Sequence, residues 1–221
     1  SGDNDSLWYS EHSGDSSFVA MNTSENLSVM GKIQYNIFDN LRASFLFTRN
    51  TDQWNPYNHT FRYNPYGVAH STRSTSFYAL QTNYMISNSI FVDFKYSNLK
   101  YYNGYYVYED PLDSRYVADL FLANNPGFFT GGQIKDHSER ITRDHNIKFD
   151  LNWQANKYHK IKTGIDILFH DINNSYHRIV FNPDSLDYYP YIHSDDTRTT
   201  DNDVYQVRPF EFSGYVQDKM E

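Results

Sequence analysis

Apolar side chains occupy every second position over stretches of about ten residues, a spacing that recurs along most of the chain. Across residues 27–37, Ile33 and Tyr35 belong to an apolar set that alternates with a polar set containing Lys32 and Gln34. A period of two predicts a β-strand with one apolar and one polar face. A tilted strand of about 9–11 residues is the length that crosses the hydrocarbon of a bilayer.

The alternation predicts three hairpins and one further strand. The paired segments are 27–37 with 41–49, 78–86 with 90–97, and 146–154 with 160–170, followed by a seventh strand from Phe210. Short turns join the members of each hairpin, at 38–40, 87–89 and 155–159. Polar connections of 50–75, 103–141 and 174–209 join one hairpin to the next. Within the second connection, residues Ser114 to Ala123 predict a short helix that ends before Pro126.

The connections therefore alternate between very short and very long. Long loops without regular structure are uncommon in compact domains, whereas outer-membrane barrels combine short periplasmic turns with longer extracellular loops. We predict an all-β fold for residues 1–221: part of one antiparallel up-and-down transmembrane β-barrel domain. This segment has about seven strands, as three hairpins plus one, with short periplasmic turns and long extracellular loops.

Composition limits the partners. The 221 residues carry a net charge of −8, and 18% of them are aromatic. An acidic chain does not favour nucleic acid, whose protein partners are normally basic, and we predict outer-membrane lipid as the surrounding medium. Aromatic residues collect near strand ends, as expected for interfacial girdles. They are Tyr35, Tyr84, Phe91 and Trp153 near the short turns, and Phe47, Tyr96 and Phe169 near the long connections.

The ends of the sequence suggest an interior piece of a longer protein. The first ten residues are polar and acidic, without the basic start and apolar run of a signal peptide, and the last six continue a strand pattern. We therefore expect an export signal and further strands to be encoded outside this sequence, and a location in the bacterial outer membrane.

Two segments near the end of the sequence carry short motifs on predicted strands. Residues 212–219 read Phe-Ser-Gly-Tyr-Val-Gln-Asp-Lys, and residues 159–166 read His-Lys-Ile-Lys-Thr-Gly-Ile-Asp. The first segment resembles the aromatic-x-x-Tyr-x-Gln-Asp barrel strand of TonB-dependent outer-membrane receptors, and the second resembles the strand that precedes it in that family. The richness in Asn and Tyr is similar to that of receptors from Bacteroidota. The resemblance covers residues 158–221. It implies a 22-stranded barrel with a plug in its lumen, which imports a scarce siderophore, vitamin, glycan or peptide with energy from the TonB complex. The plug and the TonB-contacting segment are absent from this sequence.

The polar set of each strand supplies the side chains expected to face the lumen. These lumen-lining candidates are Lys32, Gln34, Asp93, Lys95, Lys148, Asp150 and Asp166.

No catalytic motif is present, and we predict no enzymatic role and no cofactor. P-loop, G-x-G-x-x-G, H-E-x-x-H and G-x-S-x-G patterns do not occur. Asp150 and Asp166 fall on opposing strands, where paired carboxylates could perform acid–base chemistry. Lysines share their face, so we interpret them as lumenal charge pairs. Neighbouring His170 and Asp171 cannot share a face at strand spacing and therefore form no dyad.

No metal site is predicted either. The third connection is rich in oxygen ligands, which calcium prefers, and we interpret it as a solvated acidic loop. The residues concerned are Asp184, Asp187, His193, Asp195 and Asp196. The chain has no cysteine, which excludes disulfides.

Aromatic residues in the long connections are the candidates for ligand capture, since Tyr and Trp offer rigid contact area with a polar tip. The candidates are Trp54, Tyr57, Tyr102, Tyr105, Tyr106, Tyr188, Tyr189 and Tyr191. The alternative is that these aromatics pack the loops against one another over the barrel mouth.

Two other classes of protein remain open. A different barrel class, such as a passive porin or an outer-membrane enzyme, would share the strand pattern and lack a plug. A soluble β-sandwich binding module would also alternate, but its apolar faces would cover each other.

Overall fold

The computed structural model describes residues 18–117, 121–122, 127–181, 189–193 and 199–220. Twelve strands are present in these ranges, with short 3-10 helices at His59–Phe61 and Pro65–Gly67. The strands are β1 (Thr23–Phe38), β2 (Leu41–Asn55), β3 (His70–Ser87), β4 (Ile90–Tyr106), β5 (Phe121–Leu122), β6 (Phe129–Gly131), β7 (Asp136–Gln154), β8 (His159–Arg178), β9 (Val180–Phe181), β10 (Pro190–Tyr191), β11 (Asn202–Val207) and β12 (Phe210–Met220).

One open antiparallel sheet contains all the long strands. Its order is β1-β2-β3-β4-β7-β8-β11, and β12 also pairs with β8. Sequential neighbours pair in an up-and-down arrangement, so the three predicted hairpins are confirmed. Side-chain amides support the tight turns: Asn40 Nδ2 donates to Met85 O at 3.0 Å, and Asn156 Oδ1 accepts from the amide of Tyr158 at 2.8 Å. The predicted all-β, antiparallel architecture is therefore present.

The seventh strand is a single extended segment with one interruption. β11 pairs Val207 with Ile172, and β12 pairs Phe210 with Phe169, so the register does not change between them. Pro209 lies in the gap and has no amide hydrogen to donate to a ladder. Its carbonyl still accepts from His170 N at 3.0 Å. The strand predicted from Phe210 therefore begins earlier, at Asn202.

Most strands are longer than predicted, and the long connections are correspondingly shorter. They shrink to residues 56–69, 107–135 and 179–201. The extensions carry polar side chains on both faces, as the adjacent pairs Asn50–Thr75 and Thr51–Ser74 show, so hydrophobic alternation could not reveal them. Their Thr and Tyr content nevertheless favours strands.

The helix predicted from Ser114 to Ala123 was wrong for the residues that the structure describes. Residues 114–117 are turn and irregular backbone, and Phe121–Leu122 form β5. Asp113 stabilises a turn instead, because its Oδ1 accepts from the Arg115 amide at 2.9 Å and its carbonyl from Tyr116 N at 3.0 Å.

The main sheet is a single layer with two chemically different faces. Directly paired residues share a face, and one cross-strand row runs without a break over seven strands. The row contains Ile33, Phe45, Leu80, Tyr96, Ile147, Ile167 and Phe212. The side with this row is the apolar face, and the opposite side is the polar face.

No second layer covers the apolar face among the described elements. The strands of the main sheet pack substantially only against their hydrogen-bonded neighbours, and Leu80 in the interior of the sheet is 40% exposed. The buried cluster lies elsewhere, in and beside the connections, at Ala69, Val107, Tyr116 and Ile179. The two-layer sandwich alternative is therefore absent from the described part of the chain.

Candidate functional site

A belt without formal charge crosses the apolar face. We define the apolar belt as the four successive cross-strand rows that run from the Phe47 row to the Leu41 row. None of its positions holds Asp, Glu, Lys or Arg. Its residues are Gly31, Phe47, Tyr78, Asn98, His145, Phe169 and Phe210; the Ile33–Phe212 row above; Tyr35, Ala43, Thr82, Phe94, Phe149, Ile165 and Gly214; and Leu41, Tyr84, Val92, Leu151, Thr163 and Val216.

Aromatic residues mark the end of the belt that faces the long connections. Phe47 contacts Tyr78 with ring centroids 5.2 Å apart, and Phe169 contacts Phe210 at 5.2 Å. The predicted girdle needs one correction at the other end. Phe91 lies on the polar face, because it pairs with Asn152, whose neighbour Trp153 lies on the apolar face.

All seven predicted lumen-lining residues share the polar face. Gln34, Lys95, Lys148 and Asp166 belong to one row that also contains Ser44, Gln81 and Ser213. The next row toward the short turns holds Asp93 directly opposite Asp150. Lys32 lies one row toward the long connections. The register thus brings these side chains together on one wall; whether this wall bounds a lumen stays a prediction.

Hydrogen bonds and one ion pair hold the polar wall. Lys148 Nζ lies 3.7 Å from Asp150 Oδ2, and Asn146 Nδ2 donates to Asp166 Oδ1 at 2.5 Å. Asn83 donates to Asp93. The two carboxylates considered for acid–base chemistry therefore have separate partners and do not face each other as a pair, which fits the charge-pairing interpretation.

The two family-like segments contact each other. β12 pairs with β8 so that Tyr215 lies opposite Gly164, and Tyr215 Oη donates to Asp150 Oδ1 at 2.8 Å. A Cβ at Gly164 would collide with that carboxylate and with the Tyr215 ring. At the other end of the pair, His159 Nδ1 lies 2.8 Å from Asp218 Oδ2. Glycine at 164 therefore makes room for the tyrosine to reach across β8.

His170 and Asp171 lie on opposite faces, as the sequence predicted. Sequence reasoning missed the actual partners of His170, which are Asp144 at 2.7 Å and Glu211 at 3.2 Å, both across strand boundaries. The β7–β8 register pairs Asp144 with His170, so counting outward from the 155–158 turn would have found this contact.

The predicted capture aromatics divide between the two faces. Trp54, Tyr102, Tyr105 and Tyr106 belong to strands and not to loops, because the strand ladders continue beyond the belt. Trp54 and Tyr105 flank Ser71 in one row of the polar face, and the Arg73 guanidinium lies 5.3 Å from the Trp54 ring centre. The sequence did not single out Arg73 or Arg140, which share one row of the polar face.

Tyr102 and Tyr106 lie on the other side, above the apolar belt. They converge over Gly104, where a Cβ would collide with both rings. Tyr102 Oη donates to Glu139 Oε1 at 2.8 Å and therefore accepts from Tyr106 Oη at 3.1 Å. Burial, and then these two hydrogen bonds, raise the pKa of Tyr102. The eight candidates thus do not form one surface.

The remaining candidates lie in the connections. Tyr57 Oη is 2.6 Å from His59 Nδ1, and Tyr191 contacts the ring of His193 at 5.3 Å. Tyr189 is exposed. Tyr188 lies outside the described residues, as do the four aspartates of the predicted acidic loop.

The first two long connections pack against each other through aromatic rings. Phe61 and Phe129 have ring centroids 4.7 Å apart, and Tyr63 meets Phe128 edge-on at 5.1 Å. Asn64 Nδ2 donates to Gly132 O at 2.6 Å. The alternative interpretation, that aromatics pack the loops together, applies to this part of the chain.

A cavity of about 710 Å³ lies between these two connections and the adjoining ends of β2, β3 and β4. Its volume falls within the range of small-molecule pockets. Its lining combines rings with charged side chains, but it includes only one predicted capture residue, Tyr106. The lining residues are Gln53, Asn55, Pro65, Tyr66, Val68, His70, Thr72, Tyr106, Val107, Tyr108, Glu109 and Arg115.

Three histidines form a row beside this cavity, beyond the belt. His70 pairs with Tyr106, and His137 with His177. The His137 ring stacks on Tyr106 at 5.0 Å, and its Nε2 lies 2.9 Å from Glu109 O. Burial lowers the pKa of His70; burial and then the neighbouring His137 lower that of His177.

Within the described residues, no three His, Asp or Glu side chains are placed to share a metal ion. No helix in the described part of the chain is both long and apolar enough to cross a membrane.

Comparison with solved structures gave a distant likeness of fold. No family model matches the chain, and no curated protein matches it. The fold is similar to the ferric-catecholate import receptor Fiu of E. coli K12 in its open form, with 9% identity and a TM-score of 0.44. The match covers 88% of this chain and 32% of the receptor, so the chain spans about a third of that protein's length. A likeness at this level does not assign a family.

Proposed function

We propose that this chain is a wall segment of an outer-membrane β-barrel that imports a nutrient. The observation that carries the proposal is an apolar belt that no described element covers, on one side of a single sheet whose other side is the charged wall. Apolar surface left in water is costly at about 25 cal/mol per Å², whereas lipid is its natural medium. Barrels place apolar residues outward and polar residues toward the lumen.

The open edges fit the same proposal. β1 and β12 are exposed along their whole length, and unpaired backbone groups are not tolerated in hydrocarbon. Additional strands therefore have to pair with these edges in the membrane. We propose that they come from the same, longer protein.

TonB-energised uptake is the finer part of the proposal. It rests on the family-like residues 158–221, whose Gly164–Tyr215 and His159–Asp218 contacts explain why those residue types occur together. Nutrient capture would use the part of the polar face that lies nearest the long connections, with Trp54, Arg73 and Tyr105. A passive porin is the second candidate, since the polar wall alone suits diffusion equally well.

An uptake experiment separates these candidates. A strain lacking the gene is supplied with ferric siderophores, cobalamin, oligosaccharides or peptides as limiting nutrient, with and without complementation. For an energised importer, we expect the complemented strain to grow on one of these nutrients. We also expect uptake to stop when a protonophore collapses the proton gradient that supplies the energy. Uptake that persists with the protonophore would favour the porin, and a protein found outside the outer-membrane fraction would contradict both.

Cysteine scanning tests the wall itself, because the chain has no native cysteine. Gln81→Cys on the polar face should react with a bulky water-soluble thiol reagent and lose uptake on labelling. Leu80→Cys, its neighbour on the apolar face, is the matched control and should not react. Equal labelling of the two positions would contradict the assigned faces.

A further inference from the structure

A row of basic side chains borders the apolar belt on the side of the long connections. We define the basic row as Arg49, Ser76, Lys100, Arg143 and Asp171, which pair in sequence across five strands on the apolar face. Arg208, in the interruption between β11 and β12, adds a fourth cation, since its Nε lies 3.6 Å from Asp171 Oδ1. Four cations and one anion thus share one line of an otherwise acidic chain.

The position of this row is what distinguishes it from a solvated charged face. On the apolar face, the next row toward the short turns is the edge of the apolar belt. The next row toward the long connections has no formal charge. It consists of Leu27, Thr51, Ser74, Tyr102, Ile141, Asn173 and Gln206. Positive charge is therefore concentrated at one level, next to the surface that we place in hydrocarbon.

The cations are available for an external partner. Arg143 Nη1 is 3.5 Å from Asp171 Oδ2, but that carboxylate is shared with Arg208, and both arginines stay exposed on their side chains. Arg49 and Lys100 make no ion pair within the described part of the chain, and both are exposed. Adjacent strands are about 4.8 Å apart, so Lys100 and Arg143 can approach one phosphate together.

We propose that the basic row binds the phosphate groups of anionic lipid headgroups, as opposed to zwitterionic ones, in the leaflet on the long-connection side. This proposal rests on the proposed membrane location of the sheet. The long stems of Lys and Arg can lie along the belt while their heads reach the headgroup level, and Arg suits bidentate phosphate contacts. The other end of the belt has no such row: there the apolar face presents Ile90, Trp153, Ile161 and Asp218.

The test uses the full-length protein, first reconstituted in phosphatidylcholine vesicles and then titrated with lipid A, a phosphorylated glycolipid. The triple variant R49Q/K100Q/R143Q should bind lipid A roughly a hundredfold more weakly, given the worth of each basic side chain near an anionic surface. The matched variant K157Q/K160Q/K162Q removes the same charge at the short-turn end and should keep its affinity. An unchanged affinity in the first variant, or an equal loss in both, would overturn the proposal.

A measurement on the wild-type protein covers the case in which the triple variant does not fold. Lipid A should protect Lys100, and not Lys157, from a water-soluble amine reagent, as read by mass spectrometry. Protection by inorganic phosphate to the same degree, or no protection, would contradict a lipid headgroup site. Failure of the wild-type protein to insert into phosphatidylcholine would instead refute the membrane location, and this proposal with it. Insertion without lipid A binding would refute only the basic row.

Discussion

Phe149 of β7 lies directly opposite Ile165 of β8 in the middle of the apolar belt, and the two side chains are 37% and 42% exposed. Neither belongs to an edge strand. Side chains on the neighbouring strands pack against both residues within the sheet, yet no described element lies over them. In a water-soluble domain such a pair would be the core, so its exposure is the feature that the membrane proposal explains.

A charge placed on the apolar belt should cost far more than one placed beside it on the polar wall. We expect Ile147→Lys to destabilise the protein in vesicles by about 2–4 kcal/mol, the cost of lysine near the bilayer midplane. Asn146→Lys, one residue away on the polar face, should change stability by about 0.5 kcal/mol or less, because the new cation faces Asp166. Urea unfolding from vesicles measures both; equal costs would show that the faces are not differently solvated.

Gly164 should not tolerate a side chain. Gly164→Val would displace either Asp150 or the Tyr215 ring, and overpacking of this kind costs about 1–3 kcal/mol. Gly31→Ala is the matched control, since a Cβ there meets nothing within 4 Å. Thermal unfolding followed by circular dichroism compares the two. Gly164→Val with wild-type stability would mean that the Tyr215–Asp150 contact does not constrain β8.

Acidification should loosen the strand ends beside the cavity. His70 and His177 have folded-state pKa values below the ordinary 6.5, so the unfolded chain binds more protons there. Their contribution is complete above pH 6.5 and is lost as the pH falls through the folded-state pKa. Hydrogen exchange in residues 70–72 and 175–178, corrected for intrinsic rates, should accelerate between pH 7 and pH 5. The variant H70Q/H177Q should lose most of this pH dependence, whereas an unchanged dependence would contradict the assignment.

The amide of Asn64 should couple the first two long connections. Asn64→Ala leaves the Gly132 carbonyl without this donor, a loss of about 1 kcal/mol, and limited proteolysis should speed up in both 56–69 and 107–135. Asn58→Ala is the control, because Asn58 Oδ1 accepts from Thr60 N at 3.1 Å within the first connection. Its effect should stay in the first connection. Cleavage confined to the first connection in both variants would show that the connections open independently.

The hairpins and the division into faces could be predicted from sequence, because a period of two and a tight turn together fix the register. In the third hairpin, counting residues outward from the turn along β7 and β8 gives the Asp144–His170 pair, so the sequence could have predicted it. Phe91 was misplaced because it was judged by its distance from the turn and not by its parity relative to Val92 and Phe94.

The part of the sheet between the apolar belt and the long connections could not be predicted in the same way. Beyond the belt both faces are polar, so alternation vanishes and Tyr105 and Tyr106 look like neighbouring loop residues, although they lie on opposite faces of β4. The contacts between connections, such as Phe61 with Phe129, depend on how two remote loops fold together. Local pattern carries no signal for them.

Spin labels along β7 test the central claim most directly. Single cysteines at residues 145–153, each carrying a nitroxide, are measured in vesicles for collision with oxygen, which partitions into lipid, and with a polar nickel chelate. We expect oxygen accessibility at residues 147, 149 and 151, and chelate accessibility at residues 146, 148, 150 and 152, with a period of two. High chelate accessibility at residues 147, 149 and 151 would place the apolar belt in water and contradict its proposed contact with lipid.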